Sequence, residues 1–156
     1  MSDAQGSVIV RTAGTEDLSI VADIESESFA SPWPEEALSA ELANPVSRIH
    51  LALWKGEPAG FLIAWTLPGE IQLQKIAVRP AFRRRHIARR LLDGLLANAK
   101  EGDRILLELR ETNSAALALY RSFGFELDGV RRGYYADTGE HALLLGLTIH
   151  RKGARP

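Results

Sequence analysis

Between Ile71 and Leu109 the hydrophobic pattern changes period twice, and few folds accommodate that succession. Ile71 to Val78 is a mostly apolar run of strand length. After Pro80, residues Ile87, Leu91, Leu92, Leu95 and Ala99 recur at the spacing of one helical face. Gly102-Asp103 closes that helix before Ile105-Leu106-Leu107-Glu108-Leu109, a strand that must be largely buried. A strand, a helix and a second strand in direct succession make the two strands candidates for parallel neighbours.

The flanking segments complete the order. Val8-Ile9-Val10 reads as a first strand, and Leu18, Val21, Ala22, Ile24 and Phe29 recur at roughly helical spacing after Thr15-Glu16-Asp17. Ser31-Pro32-Trp33-Pro34 breaks that helix, and Glu35 to Leu42 forms a second short one. Ile49–Trp54 and Ala59–Leu67 flank the hairpin signal Lys55-Gly56-Glu57-Pro58, and Pro68-Gly69 turns the chain into the Ile71 run. That three-strand meander should be antiparallel. A further helix runs from Asn113 or Ser114, lined by Ala116, Leu119, Tyr120 and Phe123, to Gly124 at the C′ position. Strands over Phe125–Arg132 and His141–Ile149 finish the chain. The predicted order is β-α-α-β-β-β-α-β-α-β-β.

Charge is the other organising feature. The chain of 156 residues carries a net charge of only −1, yet residues 1–70 hold 11 acids and 3 bases. Residues 71–156 hold 9 acids and 16 bases. Such asymmetry governs which ligands approach which region, not the fold. No apolar run approaches the roughly 18–20 residues of a membrane helix, and Met1 to Gly6 has neither a basic n-region nor an apolar h-region. The absence of cysteine excludes disulfides, thiol nucleophiles and cysteine metal sites, and fits a reducing compartment. The expectation is a cytoplasmic protein with no membrane partner.

Two segments carry candidate chemistry. In the first, Ile76-Ala77-Val78 ends a strand and Phe82-Arg83-Arg84-Arg85-His86-Ile87-Ala88-Arg89 opens a helix. Unpaired amides and the positive end of the helix dipole favour a phosphate there, and arginines strengthen the pull. A solvated basic helix or a nonspecific nucleic-acid patch is the alternative; the acidic first half and the lack of any nucleic-acid motif argue against direct nucleic-acid binding. The segment resembles the coenzyme A motif of the GNAT acetyltransferases, Arg/Gln-x-x-Gly-x-Gly/Ala, with His86 at the first glycine and Ala88 at the last position. The second segment, Asn113 through Ala116, Leu119, Tyr120 and Gly124 to Phe125, is similar to the far more specific strand–helix motif of RimI-type GNAT enzymes, which acetylate the N-terminal alanine of a small-subunit ribosomal protein. Arg131-Arg132-Gly133-Tyr134-Tyr135 and Ser31-Pro32-Trp33 resemble further elements of that type, while His141 stands where it usually has aspartate. The resemblance covers most of residues 8–149.

The resemblance implies a GNAT fold of α/β (α+β) class: a mixed, mostly antiparallel sheet with helices on both faces, as a single domain over residues 1–150 with a basic disordered tail at 151–156. It implies acetyl-coenzyme A as acetyl donor, held by Ile76, Ala77, Val78, Arg84, Arg85, His86, Ile87, Ala88, Arg89 and Asn113. The other partner is a protein or peptide N-terminus, a ribosomal protein among the candidates, and the enzyme is expected as a monomer or weak dimer. Glu108 aligns with the proton acceptor. By strand alternation it shares a face with Leu106 and Arg110, and partial burial would suit it to that task. Without the family it reads as an exposed glutamate paired with Arg110. Tyr120 aligns with the proton donor, since a phenol of roughly 10 passes a proton to a thiolate of roughly 8.5 at little cost; otherwise it is a core tyrosine. Trp33, Tyr134 and Tyr135 are candidates for the acceptor side, with the acidic helices as a lip for a cationic peptide.

An α-amine, with a pKa of roughly 8, sheds its proton far more readily than a lysine at roughly 10.4, which favours an N-terminal acceptor. Two alternatives keep the same fold: acetylation of a lysine or small amine, and a non-catalytic coenzyme A-binding regulatory module. No metal is expected, since His50, His86, His141 and His150 show no ligand spacing, and there is neither a nucleophile elbow nor a P-loop.

Overall fold

The computed structural model describes residues 7–151. The opening Met1 to Gly6 and residues 152–156 of the expected tail lie outside the described residues. Seven strands of the described residues form one mixed sheet: β1 (Val8–Thr12), β2 (Ser47–Trp54), β3 (Glu57–Leu67), β4 (Glu70–Val78), β5 (Arg104–Arg110), β6 (Glu126–Arg131) and β7 (Ala142–Thr148). Among the described residues four α-helices accompany them: α1 (Leu18–Ser28), α2 (Glu35–Ala43), α3 (Ile87–Ala97) and α4 (Ser114–Ser122). The order along the chain is the expected one. Across the sheet it is β1-β2-β3-β4-β5-β7-β6, so the last strand inserts between β5 and β6. No described helix is long and apolar enough to cross a membrane.

The described chain falls into two compact units. One comprises residues up to Thr66 together with Leu73–Asn98, the other Leu67–Gln72 with the residues from Ala99 onward. In the first unit β1 pairs antiparallel with β2 and β2 with β3, and β2 and β3 are joined at Lys55-Gly56, both of positive φ, as the two-residue hairpin turn requires. Residues Ile49, Leu51, Phe61, Ile63 and Ala77 present one face to Val21, Ile24 and Leu38 of α1 and α2. Strand alternation puts Ala52, Leu62 and Ala64 on the opposite face, also buried, and α3 contacts β1 and β2. Each fully buried leucine or isoleucine contributes about 1.5–3 kcal/mol relative to exposure.

A register shift in the β2–β3 ladder falls where Ala52 pairs Gly60 and Leu53 pairs Pro58, leaving Ala59 as the extra residue of a bulge. Pro58, which has no N–H to give, is tolerated at such a place. The freed Ala59 carbonyl accepts the Arg79 N–H at 2.8 Å. Beside it, a Cβ on Gly60 would sit 2.5 Å from the Ala77 carbonyl oxygen, so only glycine lets β3 approach the end of β4 this closely.

In the second unit β4 begins parallel to β5, with Glu70, Ile71 and Gln72 opposite Arg104, Ile105 and Leu106. β7 then runs antiparallel to β5 over seven pairs, Arg104↔Thr148 to Arg110↔Ala142, and β6 pairs β7 at the edge. Ile105, Leu107 and Leu109 are buried on one face of β5, which leaves Leu106, Glu108 and Arg110 on the other. Asn113 caps α4 by accepting the Ala116 N–H at 3.2 Å, and Gly124, with φ +99°, ends it as the sequence predicts. At the C-terminal end the Arg151 N–H donates to Glu101 Oε1 at 2.6 Å.

Candidate active site

The phosphate-seeking loop belongs to the first unit. After β4 a single 3-10 turn, Pro80–Phe82, leads into Arg83–His86 and then α3. Arg84 and His86 both adopt the left-handed region, with φ of 65° and 62°. His86 thus holds the conformation for which a motif glycine is suited, and the helix starts as it would from glycine. Among the described residues no side chain caps α3, and its first backbone bond is from Arg90 N–H to the His86 carbonyl at 3.0 Å. Alternating left-handed residues ahead of an uncapped helix turn amides toward one concavity, the kind that binds anions. Arg84, Arg85 and His86 are exposed there, Ala88 and Arg89 half-buried, and Ile87 anchors the turn in the core. The donor set fits a diphosphate. Arg85 also lies with its guanidinium 5.0 Å from the Trp54 ring centroid, so stacking fixes its direction.

Neighbouring arginines do other work. Arg79 bonds the Pro58 carbonyl at 2.9 Å and pairs with Glu27 at 3.2 Å, while Arg90 donates to the Val8 carbonyl at 3.2 Å. Much of the basic run is therefore structural. Ile76 and Val78 are half-buried and Ala77 is buried against the α1–α2 core, so their side chains alternate across β4 as expected.

Trp33 is held from an unexpected direction. Its N–H donates to Glu25 Oε2 at 2.9 Å, and the Lys75 Nζ lies 4.1 Å from its ring centroid. Glu25 is fully buried and therefore not part of an acidic surface lip. Its partner is Lys75, 2.5 Å away. Burial pulls the Lys75 ammonium below the usual lysine range, against the pull of Glu25. The sequence alone does not single out this pair. The available signal was the spacing Val21, Glu25, Phe29, which places an acid on the apolar face of α1.

The candidate proton carriers belong to the second unit. Glu108 is neither half-buried nor paired with Arg110: its side chain is 36% exposed and pairs with Arg131 Nε at 3.4 Å. Arg110 is engaged elsewhere, with Asp137 at 3.0 Å, Glu140 at 3.2 Å and the Tyr135 ring at 4.0 Å. Those bonds fasten the segment 133–141, which carries both tyrosines, to the end of β5. Tyr134 is exposed and meets Tyr135 edge-on, with centroids 5.2 Å apart. Desolvation, then the charge of Glu108, raises the half-buried Tyr135 phenol above its ordinary value. His141 Nδ1 accepts the Gly133 N–H at 2.9 Å.

Tyr120 is buried against Phe125, with ring centroids 5.6 Å apart, and desolvation pushes its phenol up to about 12. It stays protonated through any working pH but is a more reluctant acid than an ordinary tyrosine. Asn113 spends its side-chain oxygen on the α4 cap and keeps its two amide donors. Among the described residues no group of His, Asp or Glu is arranged to hold a metal ion.

Comparison with known proteins gives these features a common context. The [ribosomal protein bS18]-alanine N-acetyltransferase of Escherichia coli K12 is 35% identical over 139 residues, covering 86% of this chain and 93% of that protein. The N-alpha-acetyltransferase RimI of Mycobacterium tuberculosis is 41% identical over 127 residues, covering 78% and 80%. The crystal structure of the ribosomal-protein-S18-alanine N-acetyltransferase from Escherichia coli superposes with a TM-score of 0.86, at 30% identity, over 96% of this chain and 98% of that one. The model of the acetyltransferase (GNAT) family matches residues 18–125. With that match spanning both units, and with relatives this similar over most of their length, the chain belongs to the GNAT acetyltransferase family.

Proposed function

We propose that this GNAT enzyme acetylates the N-terminal α-amine of a protein, and that its natural acceptor is a ribosomal protein beginning with alanine. The relatives named for that reaction, 35–41% identical to this chain, support the acceptor. The single observation that carries the chemistry is the loop opening α3, whose left-handed Arg84 and His86 present a basic, amide-rich concavity. Residues 1–150 act as one catalytic domain, in the cytoplasm, as a monomer or weak dimer.

Acetyl-coenzyme A supplies an acetyl group already activated as a thioester. Arg84, Arg85 and the amides of His86, Ile87, Ala88 and Arg89 hold its diphosphate, and Asn113 adds a side-chain donor. Amides of Ile76, Ala77 and Val78 face the acyl oxygen, where negative charge develops during attack. Trp33, Tyr134 and Tyr135 hold the acceptor backbone. Glu108, oriented by Arg131, takes the ammonium proton through a water, which its exposure permits. Tyr120 hydrogen-bonds the departing sulfur. Its phenol, at about 12, stands ~3.5 above a thiol of roughly 8.5, so complete proton transfer is about 5 kcal/mol uphill. Its contribution is therefore a hydrogen bond strengthening as charge builds, with the amine supplying the final proton.

Intact-mass analysis of peptides beginning with alanine or serine tests the reaction. A gain of one acetyl at the α-amine is expected, and turnover confined to free small amines or lysine side chains overturns the reading. Glu108→Gln should lower kcat by about 10²–10⁴ with little change in the KM for acetyl-coenzyme A, the range for losing a general base. Tyr120→Phe should cost kcat about tenfold to a hundredfold. Unchanged kcat in Glu108→Gln would remove it from the chemistry.

A further inference from the structure

A buried ion pair joins three parts of the first unit. Glu25, near the end of α1, is fully buried, and Lys75 is the one cation within β4. Glu25 Oε2 accepts both from Lys75 Nζ at 2.5 Å and from the Trp33 N–H at 2.9 Å. The ammonium also lies over two aromatic faces, 4.2 Å from the Phe29 centroid and 4.1 Å from that of Trp33. Oε1 of Glu25 is buried and has no hydrogen-bond partner among the described residues. A carboxylate flanked by two aromatic faces is the chemistry that captures a primary ammonium, and here the ammonium comes from the chain itself.

Stability does not explain this arrangement. Taking both charges out of water offsets most of their attraction, and a well-packed apolar pair of similar volume would hold the elements as well. An ion pair gives direction instead. Through Glu25 it fixes the Trp33 amide, and through the two rings it fixes the side chains at both ends of the short connector between α1 and α2. One residue further along β4 begin Ile76, Ala77 and Val78.

We propose that Lys75 is a positioning residue for acceptor recognition, its ammonium serving as an internal ligand that clamps Phe29 and Trp33 and so sets the connector for the incoming N-terminus. This rests on the reading above that Trp33 contacts the acceptor. Lys75 touches neither substrate; it acts through Trp33.

Truncating the side chain tests the clamp. Lys75→Ala removes three carbons and the nitrogen, which together are n-propylammonium. Steady-state kinetics with an alanine-initiated peptide should show peptide KM raised about tenfold or more in Lys75→Met and Lys75→Ala. The KM for acetyl-coenzyme A should stay within about twofold and kcat within about threefold, the pattern of lost acceptor binding. Millimolar n-propylammonium should restore most of the lost kcat/KM to Lys75→Ala, whereas tetramethylammonium, unable to donate to Glu25, should not. Unchanged peptide KM in both variants overturns the proposal. So does an equal loss for both substrates without rescue, which marks a purely structural pair. Hydrogen exchange at the 29–34 amides gives a reading independent of turnover. Protection should fall in Lys75→Ala and return with n-propylammonium. Unaltered exchange sinks the clamp whatever the acceptor is, while restored protection in an enzyme that ignores N-terminal peptides sinks only the acceptor assignment.

Discussion

His86 holds a left-handed backbone with φ of 62°, two residues after Arg84 at 65°. An L-residue there costs roughly 1–2 kcal/mol, because Cβ crowds the following carbonyl. Glycine relieves that contact but gives up about 0.5–1 kcal/mol of chain entropy on folding. His86→Gly should accordingly raise stability by about 0.5–1 kcal/mol in urea unfolding, and leave the KM for acetyl-coenzyme A no worse. A clear rise in that KM would mean that the imidazole itself touches the donor. The sequence already exposes the departure from the motif; what it withholds is that the backbone keeps the motif's shape. Glu108 shows the opposite failure. Strand alternation correctly sets it beside Arg110, yet its partner is Arg131 on β6, which reaches across β7, the strand inserted between β5 and β6. Nothing local to residues 104–110 encodes that insertion. The Glu25–Lys75 pair, separated by 50 positions, is out of reach for the same reason.

Turns, caps and periods are written in a few adjacent residues and are legible there: Lys55-Gly56 makes the hairpin, Asn113, of the two candidates, caps α4, and Gly124 ends it. Close approaches of strands are not written locally. Gly60 has no turn to make, yet a Cβ there would fall 2.5 Å from the Ala77 carbonyl oxygen. Because that neighbour is backbone, β3 or β4 must shift. Gly60→Ala should destabilise by about 1–3 kcal/mol, the usual range for overpacking, read as a lowered Tm. It should also raise the KM for acetyl-coenzyme A, since Ala77 and Val78 are the neighbours displaced. A lowered Tm with unaltered kinetics would detach this stretch of β4 from donor binding.

The acid limit of the molecule should reflect one carboxylate more than others. Arg11, bonded at 2.8 and 2.9 Å, and then the Gly14 N–H, hold Asp17 down from 3.8 to about 2. The folded form therefore binds this proton less readily than the unfolded one. The resulting stabilisation is complete above pH ~4 and is lost as pH falls toward 2. Fully counted it is about 2.4 kcal/mol at 1.36 kcal/mol per tenfold in affinity; with Arg11 43% exposed, solvent screening brings it nearer 1–2. Asp17→Asn should be less stable at pH 7 by that amount and converge on the parent protein near pH 2, as followed by thermal unfolding. A constant gap across that window would assign the effect to packing instead.

The depth at which Tyr120 sits sets the shape of the rate profile in alkali. A hydroxyl that keeps its hydrogen until about pH 12 leaves turnover free to climb as more of the incoming amine becomes uncharged. It should then level off, with no falling limb near 10 of the kind an ordinary tyrosine would impose.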